Sequence, residues 1–184
     1  MAPIHRTDND ILNGNLEGSP RLRVNRSTAL ALSTSWQRVD FNGVSSVNVN
    51  TFPDVDGQGT KKVRWDSVNK VFLFSDTVDR NYNVSLFMHL VASALLTGNA
   101  VQMRYVIPNG NGLGNNFYFP FPDDGGFKEI TTFAGSADKR VTDNTIIYVN
   151  QMIRDNGLGI ELKMQNSFLA TVNLTSSAFI IYGR

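Results

Sequence analysis

Short runs in which apolar and polar residues alternate, each closed by Asn, Gly or Asp, recur through most of this sequence and constrain it more than any other feature. Val101, Met103, Tyr105 and Ile107 share one parity, as do Phe117, Phe119 and Phe121, and again Ile160, Leu162 and Met164. A strand turns successive side chains to opposite faces, so a period of two describes half-buried β-strands. The breaks Asn42-Gly43, Thr97-Gly98-Asn99 and Asp155-Asn156-Gly157 are turn sequences, whose residues tolerate the left-handed backbone that tight turns need. About ten short strands at this spacing, with no long amphipathic helix, predict an all-β antiparallel sandwich.

Individual runs sharpen the prediction. Residues 62–66 and 70–75 flank Ser67-Val68-Asn69 and read as a hairpin. Residues 82–91 fit two periods. Tyr82, Val84, Leu86, Met88 and Leu90 share a strand face, while Val84, Phe87, Met88, Val91 and Leu95 would equally line a helix. A strand is the better reading, because the alternating run 101–107 follows a turn and offers a hairpin partner. Residues 145–151 are rich in β-branched and aromatic side chains and read as another strand, and 178–182 form a strongly apolar last one.

Residues 1–26 differ from the rest. Ile4, Ile11, Leu12, Leu16 and Leu22 are isolated among Asn, Asp and Gly, and a basic cluster of Arg21, Arg23 and Arg26 follows. This is the pattern of an extended N-terminal arm that gains order against a partner. The expected organisation is an arm over 1–26 and one β domain over 27–184. A domain near 150 residues buries roughly 68–70 % of its unfolded surface, which is enough for a full core.

The charge balance excludes some roles. With 17 basic and 16 acidic residues the formal net charge is +1, so no bulk field draws the chain to nucleic acid or an anionic membrane. There is no Cys, which removes disulfides, thiolate metal sites and Cys nucleophiles. The first residues show no apolar stretch of the Sec type, so no export signal is expected. The mostly apolar run 84–96 is too short to span a bilayer, and no membrane insertion is expected.

No residue set assembles into an expected active site. The glycines of Asn109–Gly114 alternate, yet Pro108 precedes them and β-like sequence follows, where a dinucleotide loop needs a strand before it and a helix after it. Asp54, Asp56 and Gly57 begin like a calcium loop but lack its later ligands, so a solvated turn is expected and no metal or cofactor is assigned. Asp123 and Asp124 precede Gly125-Gly126 and suit a turn. His5 falls in the arm, and His89 lies in an apolar run as a half-buried structural residue. Glu129 and Glu161 sit in separate strands with no reason to act as an acid/base pair. Tyr118, on the opposite parity to Phe117, Phe119 and Phe121, offers a sugar platform, though alternating aromatics suit plain core packing better.

Five stretches, STALALSTSWQRVDF, VRWDSVNKVFLF, YNVSLFMHLVA, GLGIELKMQN and SAFIIYGR, together resemble the tumour-necrosis-factor-like and complement-type trimeric jelly rolls found among phage virion proteins. The resemblance spans residues 27–184. It departs from the family at 108–116, where the loop is longer and richer in Gly. It implies a jelly-roll β-sandwich, a homotrimer, and assembly in a host cytoplasm onto a virus particle. It also implies that the last strand lies near the threefold axis, which assigns Phe179, Ile181 and Tyr182 to the trimer interface.

The functional expectation is therefore a non-enzymatic structural protein, a trimeric decoration or cement protein of a phage capsid. Its arm would dock on the major capsid protein or another virion protein, with Arg21, Arg23 and Arg26 gripping acidic surface. The alternative is the receptor-binding domain of a fibre or spike, whose loops at 54–60 or 109–116 contact a host glycan or protein.

Overall fold

The computed structural model describes residues 20–42, 49–93, 99–109, 116–118, 127–133, 137–166 and 171–183. Among them run β1 (Arg21–Arg26), β2 (Leu30–Leu32), β3 (Gln37–Arg38), β4 (Val49–Asn50), β5 (Val63–Asp66), β6 (Val71–Phe74) and β7 (Arg80–Ala92). These are followed by β8 (Asn99–Ile107), β9 (Phe117–Tyr118), β10 (Lys128–Phe133), β11 (Asp138–Val149), the helix α1 (Gln151–Asn156), β12 (Gly159–Met164) and β13 (Val172–Tyr182). The larger sheet has the order β11-β7-β13-β1-β4, with β2 also on β13, and the smaller has β10-β8-β12-β3, with β9 on β8. The strand pairings in both sheets are antiparallel. The all-β antiparallel architecture is as the alternation predicts.

One hydrophobic core lies between the sheets. Tyr82, Val84, Leu86, Met88, Leu90 and Ala92 of β7 are all buried and all of one parity. The alternation on this strand thus outweighs the competing helical period. Val101, Met103, Tyr105 and Ile107 of β8 meet them from the smaller sheet. Burying side chains of this size is worth about 1.5–3 kcal/mol each, the main favourable term of the fold.

Sequence neighbours are not always partners in space. β7 pairs with β11 and β13, and β8 with β10 and β12, so the hairpin expected between runs 82–91 and 101–107 does not form. Each of these strands buries one apolar face completely. Two such strands do better facing each other across a core than lying side by side in one sheet. The β5–β6 hairpin does form as read, with Asp66 opposite Val71. Its turn is held by Asp66 Oδ1, which accepts from the backbone of Val68 at 2.9 Å and Asn69 at 3.2 Å.

Two further expectations change. Residues 151–156 are helical, where a strand to 151 and a turn at 155–157 were expected. Asn150 Oδ1 accepts from Ile153 N at 3.1 Å and caps the first turn. Gly157 then ends the helix at φ 78°, and a Cβ there would lie 2.8 Å from Val71 Cγ2. The boundary of the arm also moves. Arg21–Arg26 form β1, zipped onto β13 from Arg21–Tyr182 to Arg26–Ser177, with Leu22 and Val24 buried. Two inward residues suffice for a strand when its partner is already a central one. Residues 1–19 lie outside the described set.

The β5–β6 hairpin closes one end of the core through aromatic packing. Phe72 and Phe179 have ring centroids 4.6 Å apart, and Phe41 meets Trp65 edge-on at 5.2 Å. Reciprocal backbone bonds between Phe72 and Leu158, 2.8 and 2.9 Å, fasten the hairpin to the smaller sheet's approach. Phe179→Ala should therefore lower the free energy of unfolding by about 3–5 kcal/mol in a urea titration. Phe87→Ala, on the outer face of the same sheet, should change it by less than about 0.5 kcal/mol.

Candidate functional site

The outer face of the larger sheet is built row by row from register. Asn25 of β1, Ala178 of β13, Phe87 of β7 and Thr142 of β11 stand side by side across four strands. One row on, Ser176, His89 and Arg140 are neighbours, and one row back Arg23 stands beside Ile180. These side chains face outward because their strand neighbours Leu86, Met88, Val24 and Phe179 face the core. Ala178 and Ser176 are small and central, while longer side chains flank them. The result is a groove of about 500 Å³ whose described lining contains no carboxylate.

The groove is basic and partly apolar. Arg23 and Arg140 both line it, and among the described residues neither forms an ion pair. Arg23 Nε is buried and makes no hydrogen bond. Phe87 is 38 % exposed. His89 is fixed at both ring nitrogens: Nε2 lies 3.0 Å from each oxygen of Asp138, and Nδ1 lies 2.9 Å from Thr175 Oγ1. The half-buried structural role expected for His89 fits these contacts, which hold the ring as part of the wall.

A second polar cluster lies on the outer face of the smaller sheet. Glu161, buried in β12, accepts from Arg104 Nε at 2.8 Å and Nη2 at 2.7 Å, and from Arg38 Nε at 3.3 Å and Nη2 at 3.2 Å. Arg104 also stacks on Trp36, with Cζ 4.1 Å from the ring centroid, and Lys163 Nζ lies 4.8 Å from the same ring. Gly159 makes room for this: a Cβ there would stand 2.6 Å from Arg38 Nη1. The carboxylate is fully occupied by two guanidinium groups, so the cluster ties β3, β8 and β12 together.

The residues singled out in the sequence fall in different places. Arg21 and Arg23 face outward on β1, but Arg26 points the other way and is 7 % exposed. Its Nη1 donates to Asp40 O at 2.6 Å, and burial lowers its pKa below the ordinary value. Arg26 is thus spent inside the chain and is not free to grip a capsid surface. Phe179 and Ile181 have no exposed surface in the single chain, because they pack into its own core. Tyr182 is half-buried on the outward parity, opposite Arg21.

Asp54 pairs with Lys61 at 2.7 Å, and Asp56 Oδ1 accepts from the backbone of Gln58 and Thr60, so both carboxylates brace an exposed loop. Glu129 stands opposite Gln102 and Glu161 opposite Arg104, so the two are not a pair. His5, Asp123, Asp124, the 110–114 loop, Phe119 and Phe121 lie outside the described residues, as does the side chain of Tyr118.

Arg140 and Phe87 were missed in the sequence. Arg140 and Thr142 share a parity opposite to Ile147 and Val149, a signal hidden because the strand was read as starting at 145 rather than 138. No protein-family model matches the chain, and no curated protein sequence matches it. Among solved structures it is similar to the PRD1 vertex protein P5, with a TM-score of 0.49, 13 % identity, and coverage of 89 % of this chain and 71 % of that one.

Glu161→Ala would leave Arg38 and Arg104 facing each other without their anion. It should destabilise the protein by about 3 kcal/mol, the lower end for a broken buried pair, since the two arginines keep 19 % and 15 % exposure. Denaturant unfolding of the variant against the native protein checks this.

Proposed function

We propose that the protein is a non-enzymatic structural component of a phage virion, a homotrimeric decoration protein that docks through its N-terminal segment. The observation that carries this reading is the apolar surface left over once the core is complete. Ile146 and Tyr148 are 56 % and 51 % exposed on β11, the edge strand of the larger sheet. A long edge strand with outward apolar side chains is a ready surface for another chain. We assign the copy-to-copy contact to Ile146, Tyr148 and the β11 edge, in place of Phe179 and Ile181. The sequence resemblance supports the same reading, and so does the sheet layout, with the terminal strand β13 in the middle of the larger sheet.

In this reading the docking segment is 1–20, and Arg21 and Arg23 lie at its exit from the sheet. Light scattering on a sizing column should return about three times the 20.4 kDa of the chain. Ile146→Glu should shift that mass to the monomer while leaving the circular dichroism unchanged. A native protein that runs as a monomer overturns the trimer.

Deleting residues 2–19 should abolish binding to empty capsids and leave the trimer intact. Binding that survives the deletion overturns docking through the arm. The second reading, a receptor-binding domain, is favoured by one observation, the groove walled by the unpaired Arg23 and Arg140. Binding of the purified protein to host cells, and not to capsids, would select it.

A further inference from the structure

We propose that the groove over β1, β13, β7 and β11 is a binding site for an acidic sugar, a pyranose ring bearing a carboxylate. This deepens the receptor-binding reading in its ligand, but it rests on the groove of a single protomer and not on trimer formation or capsid docking.

The charge is the first argument. Three arginines line one groove; Arg26 is bonded to Asp40 O, Arg23 and Arg140 form no ion pair among the described residues, and no acidic side chain is in the described lining. Most guanidinium groups elsewhere in the chain are neutralised or bonded: Arg38 and Arg104 by Glu161, Arg80 by Asp76, Arg154 by Asp79, Arg64 by Ser75 and Lys61 O. The buried, unbonded Nε of Arg23 is a donor that costs stability until something accepts from it. A carboxylate fits, because the guanidinium fork matches its two oxygens.

The second argument is that the groove is more than a cation pair. Phe87 offers an exposed ring at its floor, a surface for the apolar C–H face of a sugar. Thr142 and Ser176 place hydroxyls on either side of that ring, within one row of register, where they can exchange hydrogen bonds with sugar hydroxyls. A bare inorganic anion would use the arginines and leave the ring and hydroxyls idle. The volume, about 500 Å³, falls within the range of small-ligand pockets, roughly 300–1,000 Å³. His89 contributes shape only, since Asp138 and Thr175 occupy both its ring nitrogens. Ala178 sets the depth, being the small residue between Asn25 and Phe87.

The test is calorimetric titration of the full chain with galacturonic-acid, glucuronic-acid and sialylated trisaccharides. Their neutral counterparts and inorganic phosphate are run at the same ionic strength. At least one acidic sugar should bind saturably, with its neutral counterpart at least tenfold weaker. Arg140→Ala should weaken that binding at least tenfold, and Ala178→Phe, which fills the groove without touching a charge, should abolish it. Lys163→Ala, on the other sheet, should leave it unchanged. Melting temperature and native mass, recorded for each variant, separate loss of the site from loss of the fold or of the trimer. The proposal is overturned if no acidic sugar binds, if phosphate binds as tightly as the sugar, or if binding persists in both Arg140→Ala and Ala178→Phe.

Discussion

The structure depends on where β13 sits. The last strand fills the middle of the larger sheet, paired with β7 on one side along Val172–Tyr182 and with β1 on the other. Without it β1 and β7 have no neighbour in common, and their inward residues Leu22, Val24, Val84 and Leu86 have no continuous surface to complete. Phe179 extends the same strand into the aromatic cluster that closes the end of the core. One strand thus joins an early segment of the chain to a late one, both halves of a sheet, and the core. Such long-range pairing is slow to form, because loop closure precedes any gain from contact.

That placement also sets which side chains meet on the outer face. Inward residues of the larger sheet are committed to packing, and register then dictates which outward residues become neighbours. Arg23 and Arg140 are 117 positions apart in sequence (140 − 23) yet line one groove. They meet because β1, β13, β7 and β11 are consecutive in the sheet. The two outer faces solve the problem of charge differently. On the smaller sheet Glu161 satisfies its arginines internally, which rigidifies the face. On the larger sheet Arg23 and Arg140 form no ion pair among the described residues.

Much of the fold was legible in the sequence, and the errors have a common cause. The β5–β6 hairpin and the parity of β7, β8 and β12 could be read directly, because each depends on a few adjacent residues. The false hairpin between β7 and β8 came from taking closeness in sequence for closeness in space. Assigning 21–26 to the arm came from reading Leu22 as an isolated apolar residue beside a basic cluster, when pairing with β13 is what makes the segment a strand. Phe179 and Ile181, which the resemblance assigns to an interface, pack into the core of the single chain, as residues of a strongly apolar strand centred in a sheet do. Within the candidate site, Arg23 was found for its charge, whereas Arg140 and Phe87 were not, since nothing local marks them.

The sequence by itself determined which residues alternate, where turns fall, and therefore that the chain is all-β and antiparallel. It also determined the absence of Cys chemistry and the near-zero net charge. Those properties are local or additive, so they can be read one segment at a time. Only the tertiary structure decided the strand order, which apolar residues face the core and which face outward at the edge, and which arginines are paired. Those depend on register between strands far apart in the chain, and a single-residue slip in register would exchange every inward side chain for an outward one.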